Sequence, residues 1–142
     1  MAPRLEHANL VVEDLEGMIR FLQTAFPSFV IRWEWTMANG VRCVHIGTED
    51  DYLAVSQATA GFRRKKVLSA DKPGLLHLGY EVDDVEVLRE RLKSAGYTER
   101  LVADRHPHRK RVYFGDGQGN EWEFVQYFSD DPAERNDYEL DD

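Results

Sequence analysis

Two stretches of this chain carry the same alternation of apolar and polar positions, at one constant offset. The first reads Leu5-Glu6-His7, then Val12, Asp14 and Glu16; the second reads Leu75-Leu76-His77, then Val82, Asp84 and Glu86. Alternating β-formers over residues 5–12 and 75–82 predict a strand in each. Because alternate side chains of a strand face opposite ways, Ala8, Leu10 and Val12 share one face and His7 shares the other with Leu5, Asn9 and Val11. Likewise Leu76, Leu78, Tyr80 and Val82 oppose His77, Leu75, Gly79 and Glu81. The fully apolar face is the one to pack on a helix, so both histidines are expected on the more polar, open face.

A helix is expected after each strand. Asp14 can cap one whose stripe is Leu15, Met18, Ile19, Leu22 and Phe26, ended by Pro27. Asp83 or Asp84 can cap a second with Val85, Leu88, Leu92 and Ala95, ended by Gly96; Asp83 and Glu86 have capping-box spacing. Three strand-like runs follow each helix: Val30–Met37, Val41–Ile46 and Tyr52–Gln57 in the first half, Thr98–Ala103, Arg111–Phe114 and Glu121–Tyr127 in the second. Asn39-Gly40 marks a tight turn. The repeat unit is therefore βαβββ, used twice, with modules at about 4–57 and 75–128, a linker at 58–74 and an acidic tail at 129–142. The tail has no apolar period and is expected to be mobile or packed at a dimer edge.

Composition narrows the partners. The 142 residues carry a formal charge of −8, which disfavours nucleic acid and anionic membrane surfaces. No apolar run reaches the roughly 18 residues a membrane helix needs. The single Cys43 cannot form an internal disulfide, and with no secretory leader at the start a reducing cytoplasm is expected. Cys43 itself reads as a small buried hydrophobe. Two basic runs, Arg63 to Lys66 and Arg105 to Arg111, oppose the overall sign. Each is either a solvated loop face or a guide for an anionic small molecule.

The two halves differ in their last strand. Aligning Tyr52–Gln57 with Glu121–Gln126 pairs Leu53 and Val55 with Trp122 and Phe124, and sets Glu123 against Ala54. With Trp122 and Phe124 on the helix side, Glu123 falls on the open face with the histidines; the alternative is a solvated edge carboxylate. Gln57 is expected to face the helices.

Three segments then resemble the vicinal oxygen chelate superfamily, the group of glyoxalase I, bleomycin-resistance proteins and extradiol dioxygenases. They are Glu6-His7-x-x-Leu10-Val11-Val12-x-Asp14, Leu76-His77-Leu78-Gly79-Tyr80-x-Val82-Asp83-Asp84-Val85, and Gly115-Asp116-Gly117-Gln118-Gly119-Asn120-x-x-Glu123. The likeness spans about residues 4–128. It implies an α+β fold in which two βαβββ modules form curved mixed sheets around a cavity, and it implies a homodimer. Carried over by position, it implies a divalent metal held by His7, His77 and Glu123, with Ala54 where glyoxalase I-like members place a fourth, carboxylate ligand. Two imidazoles and one carboxylate leave positions open on an octahedral ion; Fe²⁺ is favoured, and Mn²⁺, Ni²⁺, Co²⁺ or Zn²⁺ would also be accepted.

A second resemblance leans toward ring-cleaving dioxygenases, where a His precedes an apolar-Tyr pair, an acidic turn and the ligand Glu. Here His106 precedes Val112-Tyr113, Asp116 and Glu123. That reading makes His106 an acid/base and Tyr113 a hydrogen-bond donor to a substrate oxygen. The competing readings are a generic β-former and a basic exposed loop. Three functions follow from the resemblance: a metal-dependent enzyme chelating adjacent oxygens of a small-molecule substrate, with extradiol cleavage as a candidate reaction; a glyoxalase I-type isomerase, which Ala54 disfavours; and a metal-free drug-binding resistance protein using Trp33, Trp35, Trp122 and Tyr113. The tryptophans otherwise read as packing residues.

Overall fold

The computed structural model describes residues 1–61 and 73–140. The chain divides into two compact units, Met1–Arg64 and Lys65–Asp142. The basic run from Arg63 to Lys66 lies outside the described residues.

In the first unit, β1 (His7–Val12) is followed by α1 (Leu15–Ala25), β2 (Val30–Thr36), β3 (Arg42–Gly47) and β4 (Tyr52–Gln57). The strands form one sheet in the order β1-β4-β3-β2, with β1 parallel to β4 and the other pairs antiparallel. The second unit repeats this with β5 (His77–Glu81), α2 (Val85–Ser94), β6 (Glu99–Ala103), β7 (Arg109–Gly115) and β8 (Glu121–Tyr127), ordered β5-β8-β7-β6. Two four-stranded mixed sheets, each with one helix, make the expected pair of βαβββ modules. A parallel β1–β4 pair needs a long crossover, and the helix with two intervening strands supplies it.

Each helix starts and stops where local chemistry directs. Asp14 accepts the Gly17 N–H at 3.0 Å, and the Phe26 N–H closes onto Leu22 O before Pro27 ends α1. Of the two candidate caps for α2, Asp84 takes the role, accepting from the Glu86 and Val87 N–H groups at 3.0 Å. A second device recurs in both units: the last strand sends a glutamine under the helix start. Gln57 Oε1 accepts from Leu15 N–H, and Gln126 Oε1 from Val85 N–H, each at 3.0 Å. Gln57 thus faces its helix, as expected from alternation.

The cores lie between helix and sheet. Leu15, Met18, Phe21 and Leu22 of α1 are buried, as are Val44, Ile46, Leu53 and Val55 of its sheet; so are Leu88 and Leu92 of α2 and Val112, Phe114, Trp122 and Phe124 of the second sheet. Each such side chain, fully buried, contributes about 1.5–3 kcal/mol. Cys43 is wholly buried in β3. Ala95 is an exposed C-cap rather than part of the stripe, because the helix has already run out at Ser94.

Two expectations are corrected. The run from Arg105 to Arg111 is not a loop throughout: β7 begins at Arg109, and His106 and Arg109 are buried. Strand alternation sends Lys110 to Glu86 on the helix side and Arg109 and Arg111 to the open face. The tail, described to residue 140, carries a short helix α3 (Pro132–Arg135), and Tyr138 lies against Arg109, 5.3 Å from guanidinium to ring centre. Trp33 and Trp35 do not pack in a core; they stack on each other with ring centres 4.2 Å apart, and Trp33 is 56% exposed. Trp122 alone is core.

Candidate functional site

The register of each sheet decides which side chains share its open face. In the second unit His77 stands beside Glu121, Gly79 beside Glu123, and Glu123 beside Tyr113 on the next strand. This brings His77 Nε2 to 2.8 Å from Glu123 Oε2. Two of the three expected metal ligands therefore adjoin within one unit. Around them, the Tyr113 ring meets His77 edge-on at 5.5 Å, and Arg111 lies 3.9 Å from the other Glu123 oxygen. His77 Nδ1 is buried, 3.4 Å from Glu121, and makes no hydrogen bond.

Burial first, and then the Glu123 carboxylate, push the Tyr113 hydroxyl above its ordinary pKa. Both effects oppose forming a second negative charge. Tyr113 is thus kept protonated as a donor, opposite Glu123 on the neighbouring strand.

Glu123 is aimed by the turn before it. The buried Asp116 carboxylate accepts from Gln118 N–H at 2.8 Å, Asn120 N–H at 3.2 Å, the Asn120 side-chain amide at 2.7 Å and the Trp122 indole N–H at 3.1 Å. Gly117 and Gly119 take φ of 80° and 88°, the region glycine occupies without a Cβ penalty. Fixing Trp122 on the helix side fixes Glu123, its neighbour, on the open side.

His106 is buried beneath the tail. Its Nε2 donates to the Asp137 carbonyl at 2.9 Å, and its Nδ1 accepts from the His108 N–H at 3.1 Å. Both ring nitrogens are committed to backbone. An acid/base role for His106 requires release of the Asp137 carbonyl.

In the first unit His7 is exposed on the open face, contacts the adjacent Glu6 carboxylate, and stacks on Tyr52 with ring centres 5.1 Å apart. Ala54 occupies the register position that Glu123 holds in the second unit, flanked by Asn9 and His45. His45 escaped the sequence reading. It packs between Tyr52 at 4.4 Å and the tryptophan pair at 5.0 and 5.5 Å. Its pKa is lowered, by burial first and then by Arg32 and His7. The signal available was the strand pairing itself: His45 opposes Ala54 as Tyr113 opposes Glu123, but unequal loops break the offset that aligned the histidines.

Among the described residues, no three His, Cys, Asp or Glu side chains gather as a metal-holding group, and no helix is long and apolar enough to cross a membrane.

A family model described as the Glyoxalase/Bleomycin resistance protein/Dioxygenase superfamily matches residues 4–124. No curated protein matches the chain. Among solved structures, a glyoxylase/bleomycin resistance protein/dioxygenase domain from Frankia sp. EAN1pec is 19% identical with TM-score 0.72, covering 89% of this chain and 99% of that one. A glyoxalase family protein from Bacillus cereus is 14% identical with TM-score 0.75, covering 91% and 97%. A mutant of the fosfomycin resistance protein FosX from Listeria monocytogenes, complexed with Mn(II) and 1S,2S-dihydroxypropylphosphonic acid, is 18% identical with TM-score 0.65, covering 87% and 92%. At these identities the likeness is one of fold.

Proposed function

This chain belongs to the glyoxalase/bleomycin resistance protein/dioxygenase superfamily, and from that premise we propose that it is a divalent-metal-dependent enzyme acting on a small molecule through two adjacent oxygens. The observation that carries the reading is the 2.8 Å approach of His77 Nε2 to Glu123 Oε2 on an open sheet face. An imidazole and a carboxylate held together, with a second imidazole nitrogen making no hydrogen bond, fit a cation that would draw on both.

The proposed ligands are His7, His77 and Glu123. Two nitrogens and one carboxylate oxygen suit an octahedral ion with open positions, Fe²⁺ or Mn²⁺ before Zn²⁺. The Mn(II) in the Listeria protein adds weight to manganese here. Such an ion supplies Lewis acidity and orients the adjacent oxygens. The chain's own part is to fix the carboxylate through the Asp116 turn and to offer Tyr113 as a protonated donor to a substrate oxygen. Extradiol cleavage stays the candidate reaction for that donor. Glyoxalase I-type isomerisation is disfavoured by Ala54, beside which His45 is the titratable group the first sheet offers. Cytoplasmic residence and a homodimer belong to the same proposal.

The test is metal stoichiometry on the full chain, prepared without a tag or added metal and then titrated anaerobically with each first-row ion. About one ion per chain is expected, lost in His77→Ala and in Glu123→Gln. Absence of binding by every ion overturns the proposal.

A metal-free binding protein is the second reading, favoured by one observation: Trp33, exposed, stacks on half-buried Trp35 beside His45. Such a surface suits a flat cation in an acidic protein. Tryptophan quenching by a cationic drug, unchanged by chelator and abolished in Trp33→Ala, would put this reading first.

A further inference from the structure

His77 stands between two carboxylates of one strand, and the proposed chemistry uses only one of them. Residues two apart on a strand share a face, so Glu121 and Glu123 of β8 both look onto the open side, where His77 of β5 is the register partner of Glu121. The two ring nitrogens divide them. Nε2 approaches Glu123 Oε2 at 2.8 Å, and Nδ1 faces Glu121 Oε1 at 3.4 Å, where the buried Nδ1 makes no hydrogen bond. Glu121 is itself held in place. It opposes Gly115 on β7, and the Arg100 side chain lies over that glycine, 3.1 Å from where a Cβ would stand. Arg100 Nη1 reaches the other Glu121 oxygen at 3.6 Å and leaves Oε1 to the imidazole.

We infer that Glu121 is a positioning residue for His77: it accepts from a proton on Nδ1 and so presents the Nε2 lone pair, beside Glu123, to the cation. The inference rests on the proposed function for that cation, while the choice of ring nitrogen is a property of the metal-free chain. A neutral imidazole carries one proton and offers one lone pair. With the proton on Nε2, the ring donates to Glu123 and has no nitrogen to give a metal there. With the proton on Nδ1, it donates to Glu121, and Nε2 is left to ligate. Metal-binding histidines as a class donate their other N–H to a carboxylate, carbonyl or water, which sets the tautomer and strengthens the ligating nitrogen. In this chain the nitrogen without a hydrogen bond is His77 Nδ1, and the acceptor facing it is Glu121 Oε1. The first unit arrives at the same pairing by another route. The register partner of His7 is Tyr52, and the carboxylate at His7 Nδ1 comes from Glu6, its neighbour in sequence. Those side chains are 47% and 55% exposed, against 25% and 26% for His77 and Glu121, so solvent screens the Glu6 pair and Glu121 carries the inference.

The experiment locates the ring proton by nitrogen NMR of the histidine-labelled full chain without metal. In Glu123→Gln, which leaves Glu121 as the carboxylate beside the ring, the neutral His77 is expected to carry its proton on Nδ1. Adding Glu121→Gln is expected to remove the proton from that nitrogen. A proton on Nε2 in Glu123→Gln, or one that stays on Nδ1 in the double variant, overturns the inference. The second arm is Mn²⁺ affinity by calorimetry, with Glu123 intact. Glu121→Gln is expected to weaken binding roughly 10–100-fold at unchanged stoichiometry, and Glu121→Asp to recover part of the loss. Unchanged affinity in Glu121→Gln overturns the inference, and so does complete loss of binding, which would make Glu121 a ligand. If Glu121→Gln does not fold, Glu123→Gln alone decides, because Glu121 is intact there. A wild-type chain that binds no ion removes the proposed function and leaves the Nδ1 proton to decide this inference.

Discussion

The open faces of the two sheets share a strand plan and almost nothing else. On the first, His7, Tyr52, His45, Trp33 and Trp35 form a run of rings. On the second, the equivalent positions hold His77, Glu121, Tyr113, Leu101 and Ala103, with Glu123 in place of Ala54 and Arg111 in place of Cys43. Beneath them the helix-facing layers agree closely. Asp14 and Asp84 cap, Gln57 and Gln126 tie the helix start to the last strand, and a β3 or β7 cation reaches the first-turn glutamate, Arg42 to Glu16 and Lys110 to Glu86. The difference teaches that a repeated module retains the layer that packs on its helix and diverges on the opposite face. One face became aromatic and the other ionic.

The largest test of that contrast is at the turn before each last strand. In the second module four donors converge on buried Asp116; in the first, Thr48 Oγ1 accepts only from the Asp50 and Asp51 N–H groups, at 3.2 and 3.4 Å. Asp116→Ala should destabilise by about 3 kcal/mol and Thr48→Ala by about 1 kcal/mol, read by urea denaturation. Equal losses would show that the turns are energetically equivalent after all.

Next in size is the glycine that ends each third strand. A Cβ on Gly47 would meet the Asp51 carbonyl oxygen at 2.3 Å, whereas one on Gly115 would meet the flexible Arg100 side chain at 3.1 Å. Gly47→Ala should cost about 2–3 kcal/mol and Gly115→Ala under about 1 kcal/mol. Thermal melts with matching midpoints would break the distinction.

A smaller, pH-dependent effect separates the surface ion triads. In the second module Arg89 holds both Glu99 and Glu86, and their pKa values are lowered, Glu99 by the Arg89 hydrogen bond above all and Glu86 first by Lys110. A carboxylate with a lowered folded pKa stabilises above its unfolded value, and that stability is lost as pH falls through the folded one. Stability should therefore decline below about pH 4.5, and Arg89→Met should flatten that decline. In the first module Arg42 bridges Glu16 and Glu34, and its own pKa is raised by their hydrogen bonds at the protein surface. Arg42→Met should hardly alter the acid limb, because solvent screens such pairs.

Smallest is Gly79→Ala. The added Cβ would lie 3.9 Å from Glu123 Oε2, in ordinary contact, and stability should change by less than about 0.5 kcal/mol. A large loss would mean that the ligand carboxylate is packed more tightly than its neighbours require.

Much of this was legible in the sequence because the repeat announced it. The helices, the strand faces and the Ala54–Glu123 contrast all follow from apolar alternation read at a fixed offset. What escaped did so for physical reasons. Arg109 and Lys110 open β7 two residues before the expected strand start at Arg111, because alternating charge on a strand looks like loop polarity. The tail is held by the Asp137 and Arg135 carbonyls and by ring contacts, none of which produces an apolar period. His45 depends on pairing between strands, which a linear offset does not encode.

That hold on the tail has an evolutionary corollary. His106 and Arg109 grip main-chain oxygens, which every residue type presents alike, so these two anchors hold the course of the tail without fixing side-chain identity at the carbonyls they bind. Relatives compared by identity alone would show a variable terminus over a constant pair of donors, and the covariation to look for is between the presence of those donors and the length of the tail.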